Sequence, residues 1–155
     1  MSGRPVDRHR QAAYDAERFA FEGSWLAVAI DRDDAVALTE RIVTAPAWRR
    51  LVPEVVRHAS ARRAHSFCTD DLRIGYAASV EVSTVAHELA HAVTQVRLSA
   101  AAAHGPEWRG WFVTVVEIVH GTEAADGLAE AFATYGLPLA RPAVEWTGRP
   151  LVGMG

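Results

Sequence analysis

The stretch HELAHAVTQVRLSAAAAHGPEW, residues 87–108, contains three of the chain's seven histidines. Residues four apart on an α-helix differ by about 40° in direction, so a helix here would project His87 and His91 from one face, one turn apart. Glu88 would lie about 100° from His87, near a bound metal ion but outside its ligand set. The HExxH pattern therefore predicts two metal ligands, His87 and His91, and a general base, Glu88.

A third ligand must come from outside this motif, because a catalytic zinc site needs three protein ligands and one open position. His104 is the first candidate. The chain between His91 and His104 is long enough to end a helix and turn back, and Gly105 permits a sharp backbone turn. Glu117 and Glu107 are the alternatives, since a carboxylate can also be the third ligand. We predict that His104 completes a site for one zinc ion.

The apolar pattern around the motif predicts three consecutive helices. The first carries the motif and runs to about residue 98, with Ser79 or Ser83 as its N-cap. The second begins at Pro106, because proline suits the first turn of a helix, and it ends at Gly121. The third covers about 122–135 and is terminated by a glycine and a proline.

The N-terminal half predicts two further helices and several short strands. Residues 7–22 carry apolar side chains at helical spacing, namely Ala12, Ala16, Phe19 and Ala20. Residues 24–31 are typical of a short buried strand, and an acidic pair then opens a helix that stops before Pro46. Three extended pieces follow near 54–60, 64–68 and 72–76, and we expect them to form a small antiparallel meander.

These elements predict one α+β domain at residues 1–140 and an irregular tail at 141–155. A chain of 155 residues, half of them apolar, can bury one substantial core. The expected fold is a small antiparallel or mixed sheet packed against the HExxH helix, with further helices at both ends of the domain.

Composition limits which groups could bind a metal and where the protein is expected to be found. The single cysteine, Cys68, can form neither an internal disulfide nor a thiolate cluster, so a metal must be held by imidazole and carboxylate groups. No apolar run approaches the roughly 18 residues of a membrane span, and MSGRPVDRHRQ lacks the apolar core of a secretory signal. We therefore expect a cytoplasmic protein without a membrane partner.

The net charge of −3 gives no overall attraction to nucleic acid. A local cluster of arginines is the one internal clue to a nucleic-acid contact, and a solvated surface explains it more simply. Its members are Arg49, Arg50, Arg57, Arg62, Arg63 and Arg73.

These motifs carry a resemblance to known proteins. HELAHAV followed by HGPEW and an aromatic-rich helix resembles the SprT-like zincin metallopeptidases. The longer run from QAAYDAERFAF to AFATYGLP, residues 11–138, resembles a family of HExxH metallohydrolases of actinobacteria and their phages. The resemblance implies a zincin-like fold, His87, His91 and His104 as zinc ligands, and Glu88 as catalytic base. SprT-like proteins often carry a cysteine-rich zinc ribbon, which a single cysteine rules out within this chain.

The expected function is that of a zinc metallopeptidase acting on a peptide or protein. Zinc would lower the pKa of a bound water to about 7, and Glu88 would take its proton. A developing oxyanion would need a further donor, for which His120, Tyr76, Tyr135 and nearby arginines are candidates. The alternatives are a zinc hydrolase of a non-peptide amide or ester, a non-catalytic zinc-binding module, and a protease associated with nucleic acid.

Overall fold

The computed structural model describes residues 7, 9–60, 63–99, 101–144, 146 and 148–152. Over this part the chain forms six α-helices, five short strands and a 3-10 turn at Trp25–Ala27. In chain order the elements are α1 (Arg10–Phe21), β1 (Ala29–Asp31), α2 (Arg32–Val43), α3 (Pro46–Leu51), β2 (Arg57–His58), β3 (Phe67–Cys68), β4 (Arg73–Gly75), β5 (Ser79–Glu81), α4 (Val82–Arg97), α5 (Pro106–His120) and α6 (Thr122–Thr134).

Helix α4 carries the HExxH motif and lies at the centre of the fold. It packs against α5 on one side and also contacts α2 and β3. Helix α5 packs in turn against α6, and α6 against α1. The helical period of apolar residues explains this arrangement, because Leu89 of α4, Phe112 of α5, and Leu128 and Phe132 of α6 are fully buried. The motif helix is therefore held in the core.

Two small sheets flank the helices. Strands β1 and β5 pair antiparallel, with Ala29 opposite Glu81 and Asp31 opposite Ser79. Because β5 continues directly into α4 at Val82, this pairing positions the start of the motif helix. The second sheet has the order β2-β4-β3. The prediction of an α+β fold is thus confirmed at the level of class.

The second sheet corrects the predicted antiparallel meander. Strand β4 is antiparallel to β3 but parallel to β2, with Arg57 opposite Arg73 and His58 opposite Ile74. A parallel pair requires a crossover rather than a tight turn, and the segment between β2 and β4 supplies it while also contributing β3. The sheet is therefore mixed.

Other sequence predictions for the first half need correction. The stretch 24–31 is a 3-10 turn followed by a mostly exposed strand, rather than one buried strand. Pro46 does follow the end of α2, but it opens the short helix α3. Neither Ser79 nor Ser83 caps α4, because Ser79 belongs to β5 and the N-cap is Glu81. Phe19, one of the apolar side chains at helical spacing in α1, is 58% exposed.

The second half follows the predictions closely. Helix α5 begins at Pro106, and Gly121, with a φ of 107°, separates it from α6. The described part of the tail after Arg141 contains no helix or strand, although Leu151 and Val152 donate backbone hydrogen bonds to carbonyls near the end of α5. Among the residues that the structure describes, no helix has the length and apolar character needed to cross a membrane.

Candidate metal centre

Helix α4 places His87 and His91 on one buried face. Their ring centroids lie 5.1 Å apart, as expected for residues one helical turn apart. The side chain of Trp108, from α5, packs under both rings, with centroid distances of 4.8 Å to each. The two imidazoles are thus held against an aromatic floor rather than extended into solvent.

His104 reaches the same place from the loop between α4 and α5. Its Nε2 atom lies 3.2 Å from Nε2 of His91. The predicted role of Gly105 in the turn needs correction, because Gly105 has an ordinary φ of −77° and His104 itself adopts the left-handed conformation, with φ of 58°. Space at Gly105 is tight, since a Cβ there would lie 3.1 Å from the carbonyl oxygen of Ala102. The loop therefore turns at the histidine.

The left-handed backbone at His104 is stabilised by a buried arginine. Arg109 Nη1 donates a 2.7 Å hydrogen bond to the carbonyl oxygen of His104, and Nε and Nη2 donate to that of Pro138. A left-handed conformation costs roughly 1–2 kcal/mol for a residue other than glycine, so it persists only where surrounding contacts impose it. Arg109 supplies such contacts by joining the loop to the segment after α6.

The three histidines could hold one metal ion. One nitrogen from each of His87, His91 and His104 lies within 4.8 Å of the other two. The alternative ligands, Glu117 and Glu107, are not part of this group. Among the described residues it contains no carboxylate. Glu117 instead faces Arg141, whose Nη2 is 3.8 Å away. The structure thus brings His104 rather than Glu117 or Glu107 to the motif.

The donor set fits a small divalent ion. Two nitrogens bound at about 2.0–2.1 Å to one tetrahedral zinc lie about 3.3 Å apart. The observed 3.2 Å between Nε2 of His91 and Nε2 of His104 is close to this value. Two neutral imidazole lone pairs would repel at that distance unless a cation or proton lay between them. The spacing of this pair therefore suits a shared ion.

Glu88 lies beside the histidines in a buried position. One carboxylate oxygen, Oε1, is 3.9 Å from Nε2 of His87. The other, Oε2, is buried and has no hydrogen-bond partner among the described residues. A buried carboxylate oxygen without a partner is unfavourable unless a ligand or water occupies the neighbouring space. Burial raises the pKa of Glu88 to about 7, with His87 opposing and Glu17 adding to the shift.

Burial and mutual repulsion keep two of the histidines neutral. Burial lowers the pKa of His91 well below its usual value, and neighbouring His87 and His104 lower it further. Burial also lowers the pKa of His104. At His87 burial acts in the same direction, but Glu17 and Glu88 outweigh it and raise the pKa. Neutral imidazoles are the form that binds metals, so the environment of His91 and His104 favours ligation.

The N-terminal helix supplies groups that sequence analysis did not single out. Glu17 Oε2 lies 2.9 Å from Nδ1 of His87. Asp7 Oδ2, just before α1, lies 2.5 Å from Nδ1 of His104. The ring of Tyr14 stacks on that of His87, with centroids 5.3 Å apart and planes 3° from parallel. Asp7 and Glu17 were visible in the sequence, but nothing local connected them with histidines 70 and 97 residues away.

A cleft of about 760 Å³ opens over this centre. Helix α1 forms one wall, and the residues around β5 and Ser66 form the other. Residues at its base include His87 and Glu88, and Tyr14 and Arg10 line it from α1. The cleft therefore gives a bound molecule access to the side of the histidines on which Glu88 lies.

The three oxyanion candidates named individually, His120, Tyr76 and Tyr135, do not line this cleft. Tyr76 is buried and shares a 2.6 Å hydrogen bond with Thr39. His120 packs edge-on against Trp25, with ring centroids 5.8 Å apart. Tyr135 lies at a separate, shallower depression. The nearby arginines that were also predicted as donors are represented in the cleft by Arg10 and Arg18.

The remaining sequence candidates stay outside the centre. Cys68 lies half-buried in β3, and burial raises the pKa of its thiol to about 12, so it remains protonated. Within the arginine cluster, Arg73 pairs with Asp71 at 2.9 Å, and Arg63 stacks over Phe67. Arg62 lies outside the described residues.

Comparison of this chain with protein-family models, curated proteins and solved structures finds no match.

Proposed function

We propose that the protein is a zinc-dependent metallopeptidase with a zincin-like fold, related to the HExxH metallohydrolases that its motifs resemble. One observation carries the proposal. A buried carboxylate with an unpartnered oxygen, Glu88, lies beside His87 of a three-histidine group, and both residues line a cleft. A structural zinc site is usually enclosed by four protein ligands, whereas a catalytic site keeps one position open. The proposed site has three ligands, a base and a cleft, so it resembles a catalytic zinc site.

His87, His91 and His104 would hold the ion. Zinc bound there would supply positive charge that acidifies a water molecule and polarises a carbonyl group. Glu88 is placed to accept a proton and to pass it to the leaving nitrogen, and its raised pKa of about 7 suits exchange of a proton near neutral pH. Arg10 and Tyr14 line the same cleft and are the groups best placed to donate hydrogen bonds to a developing negative charge.

The substrate that we propose is a peptide or protein. The cleft is open to solvent rather than enclosed, so a segment of a peptide chain can enter it. Ala77, Ser79, Val80 and Glu81, at and before β5, contribute to its wall. Hydrolysis of a non-peptide amide or ester by the same residues is the alternative outcome of the test below.

The first experiment measures metal content and hydrolysis together. Purified protein is expected to carry about one zinc, and His87→Ala or His91→Ala to lose it. Glu88→Gln should retain zinc but lose hydrolysis of a quenched fluorescent unfolded protein by about 100-fold or more, since removal of a general base typically costs 10²–10⁴-fold.

The matched controls are His58→Ala and Glu130→Gln, which change the same residue types away from the centre. His58 pairs with Glu40, and Glu130 is exposed on α6. Both should leave zinc content and activity unchanged. Full zinc occupancy in both ligand variants would contradict the site. Zinc binding combined with cleavage of small amides or esters but not peptides would replace the peptidase assignment with the alternative.

A further inference from the structure

Two carboxylates of the N-terminal segment contact the outer nitrogens of two proposed zinc ligands. Glu17 Oε2 lies 2.9 Å from Nδ1 of His87, and Asp7 Oδ2 lies 2.5 Å from Nδ1 of His104. We infer that Glu17 and Asp7 are positioning residues of the metal centre, which hold the proton of each ring on Nδ1 and aim Nε2 at the ion. This inference rests on the proposed metal site, but not on the reaction proposed for it.

The chemistry of a carboxylate supports this role. An ionised carboxylate can only accept hydrogen bonds, so Nδ1 of each histidine must carry the proton and donate it. The lone pair is then left on Nε2, the nitrogen that faces the other histidines. A neutral imidazole without such a partner divides its proton between both nitrogens and can turn about its side-chain bonds. The two carboxylates therefore favour one tautomer and one ring orientation.

Burial indicates that these contacts are not ordinary surface pairs. The residue Glu17 is 8% exposed and its partner His87 is 4% exposed. A buried glutamate is costly unless it is hydrogen-bonded or paired, so His87 and Glu17 stabilise each other only in this arrangement. The second oxygen of Asp7, Oδ1, is buried and has no partner among the described residues. The contact with His104 is therefore the one that explains the position of the Asp7 side chain.

The face of α1 toward the centre is organised around the same two rings. Tyr14 and Glu17 lie three residues apart in α1, which brings them to one side of the helix, and Asp7 lies in the segment before it. Between the two carboxylates, the ring of Tyr14 lies parallel to that of His87 and 5.4 Å from that of His104. His91 is positioned differently, because its ring stacks on Trp108 at an angle of 22°. Asp7 and α1 thus orient two of the three proposed ligands, and α5 orients the third.

The test uses the full chain and measures zinc affinity and the zinc dissociation rate by competition with a chromophoric chelator. Loss of an outer-shell partner typically weakens metal binding by about 10- to 100-fold. We expect Glu17→Leu and Asp7→Leu each to weaken zinc binding and accelerate zinc release within this range. Glu17→Gln and Asp7→Asn keep an acceptor oxygen toward Nδ1, so they should restore much of the affinity.

The matched control is Asp15→Asn. Asp15 lies on the same helix but its side chain accepts a hydrogen bond from Gln11 instead of a histidine. Its substitution should leave zinc binding unchanged. A second readout is the ¹⁵N shift of the histidine ring nitrogens in the metal-free protein. At a pH high enough to make the ring neutral, since Glu17 and Glu88 raise the pKa of His87, this histidine should be an Nδ1–H tautomer in the parent chain and a mixture of tautomers in Glu17→Leu.

Several results would overturn the inference. Zinc release unchanged within twofold in folded Glu17→Leu and Asp7→Leu would do so, as would an Asp15→Asn effect of equal size. If the leucine variants do not fold, the glutamine and asparagine variants decide through the tautomer shifts, which must remain those of the parent chain.

The inference and the proposed function can fail separately. Tight zinc binding that depends on Glu17 without any hydrolysis would reject the proposed peptidase and retain the positioning role. Normal hydrolysis with zinc release independent of both carboxylates would do the reverse.

Discussion

His104 shows how a single residue combines backbone strain with a proposed function. Its φ of 58° is unfavourable for a side chain with a Cβ, yet the next residue, Gly105, could have adopted it without cost. The left-handed position is occupied by the histidine because its ring must point toward α4 while the chain turns into α5. Arg109 bonds to the carbonyl of this residue and so stabilises the turn. Strain of this kind is typical of functional sites.

His120 provides a residue-scale prediction about pH. Its position in the last turn of α5 suggests a protonated ring stabilised by the helix dipole. The structure indicates the opposite, because burial lowers its pKa to about 4, and both ring nitrogens lack partners among the described residues. The unfolded chain, with a pKa of about 6.5, binds the proton more tightly. The stabilisation is therefore complete above about pH 6.5 and is lost as the pH falls toward 4.

Urea unfolding of metal-free protein at pH 7.5 and pH 4.5 measures this effect. The parent chain is expected to lose on the order of 2 kcal/mol more stability between these pH values than His120→Gln, which cannot be protonated. The control His58→Gln concerns a histidine paired with Glu40 and should not reduce the pH dependence in this way. Equal pH dependence in the parent chain and His120→Gln would contradict the prediction.

At the scale of the elements, the start of α5 is tied to the segment that follows α6. The amide of Ala140 donates to the carbonyl of Pro106, and Arg109 donates to that of Pro138. Helix α5 and the segment after α6 approach so closely at Gly110 that a Cβ there would lie 2.1 Å from the carbonyl oxygen of Ala140. This close approach stabilises the end of the loop that carries the third histidine.

Two glycine-to-alanine substitutions should therefore have opposite effects. Alanine stabilises a helix interior by about 1 kcal/mol relative to glycine. At Gly127 in α6, where nothing lies within 4 Å of the added Cβ, we expect the full gain. At Gly110 the backbone of Ala140 must move, and overpacking of this kind costs about 1–3 kcal/mol or more, so we expect net destabilisation.

Thermal unfolding of the two variants tests this pair directly. A midpoint that rises for Gly127→Ala and falls for Gly110→Ala is the expected result. Equal stabilisation by both substitutions would show that the segment after α6 does not pack on α5 as described. Gly110→Ala should also weaken zinc binding, since Arg109 and His104 are adjacent to the displaced segment.

At the scale of the whole molecule, a bound metal would join elements that are distant in the chain. His87 and His91 belong to α4, His104 to the following loop, and two of the rings are bonded to the N-terminal segment. Without an ion, the folded protein buries three imidazoles and a carboxylate close together, which is unfavourable. Metal binding should therefore stabilise the fold as a whole.

Calorimetry with and without zinc tests this linkage. Free zinc at about 100 times its dissociation constant should stabilise the protein by about 2.7 kcal/mol, which raises the unfolding midpoint of a chain of this size by about 5–10 °C. A chelator should reverse the shift, and His91→Ala should show none. A shift of equal size in His91→Ala would place the stabilising zinc elsewhere on the chain.

The sequence alone predicted the local half of this centre. A helix carrying His87, Glu88 and His91, a following helix that begins at Pro106, and a break at Gly121 are all confirmed. These features depend on helical periodicity and on the backbone preferences of proline and glycine, which act over a few residues. The functional roles of the motif residues remain predictions.

Tertiary structure decided the rest. The choice of His104 over Glu117, the contacts of Glu17 and Asp7 with the outer nitrogens of the histidines, and the parallel pairing of β2 with β4 each join residues that are separated along the chain. Such contacts depend on how several elements pack around one core, and no local pattern specifies the outcome. The sequence by itself therefore determined a helix that carries His87, Glu88 and His91 together, whereas only the tertiary fold brought His104, Glu17 and Asp7 to them.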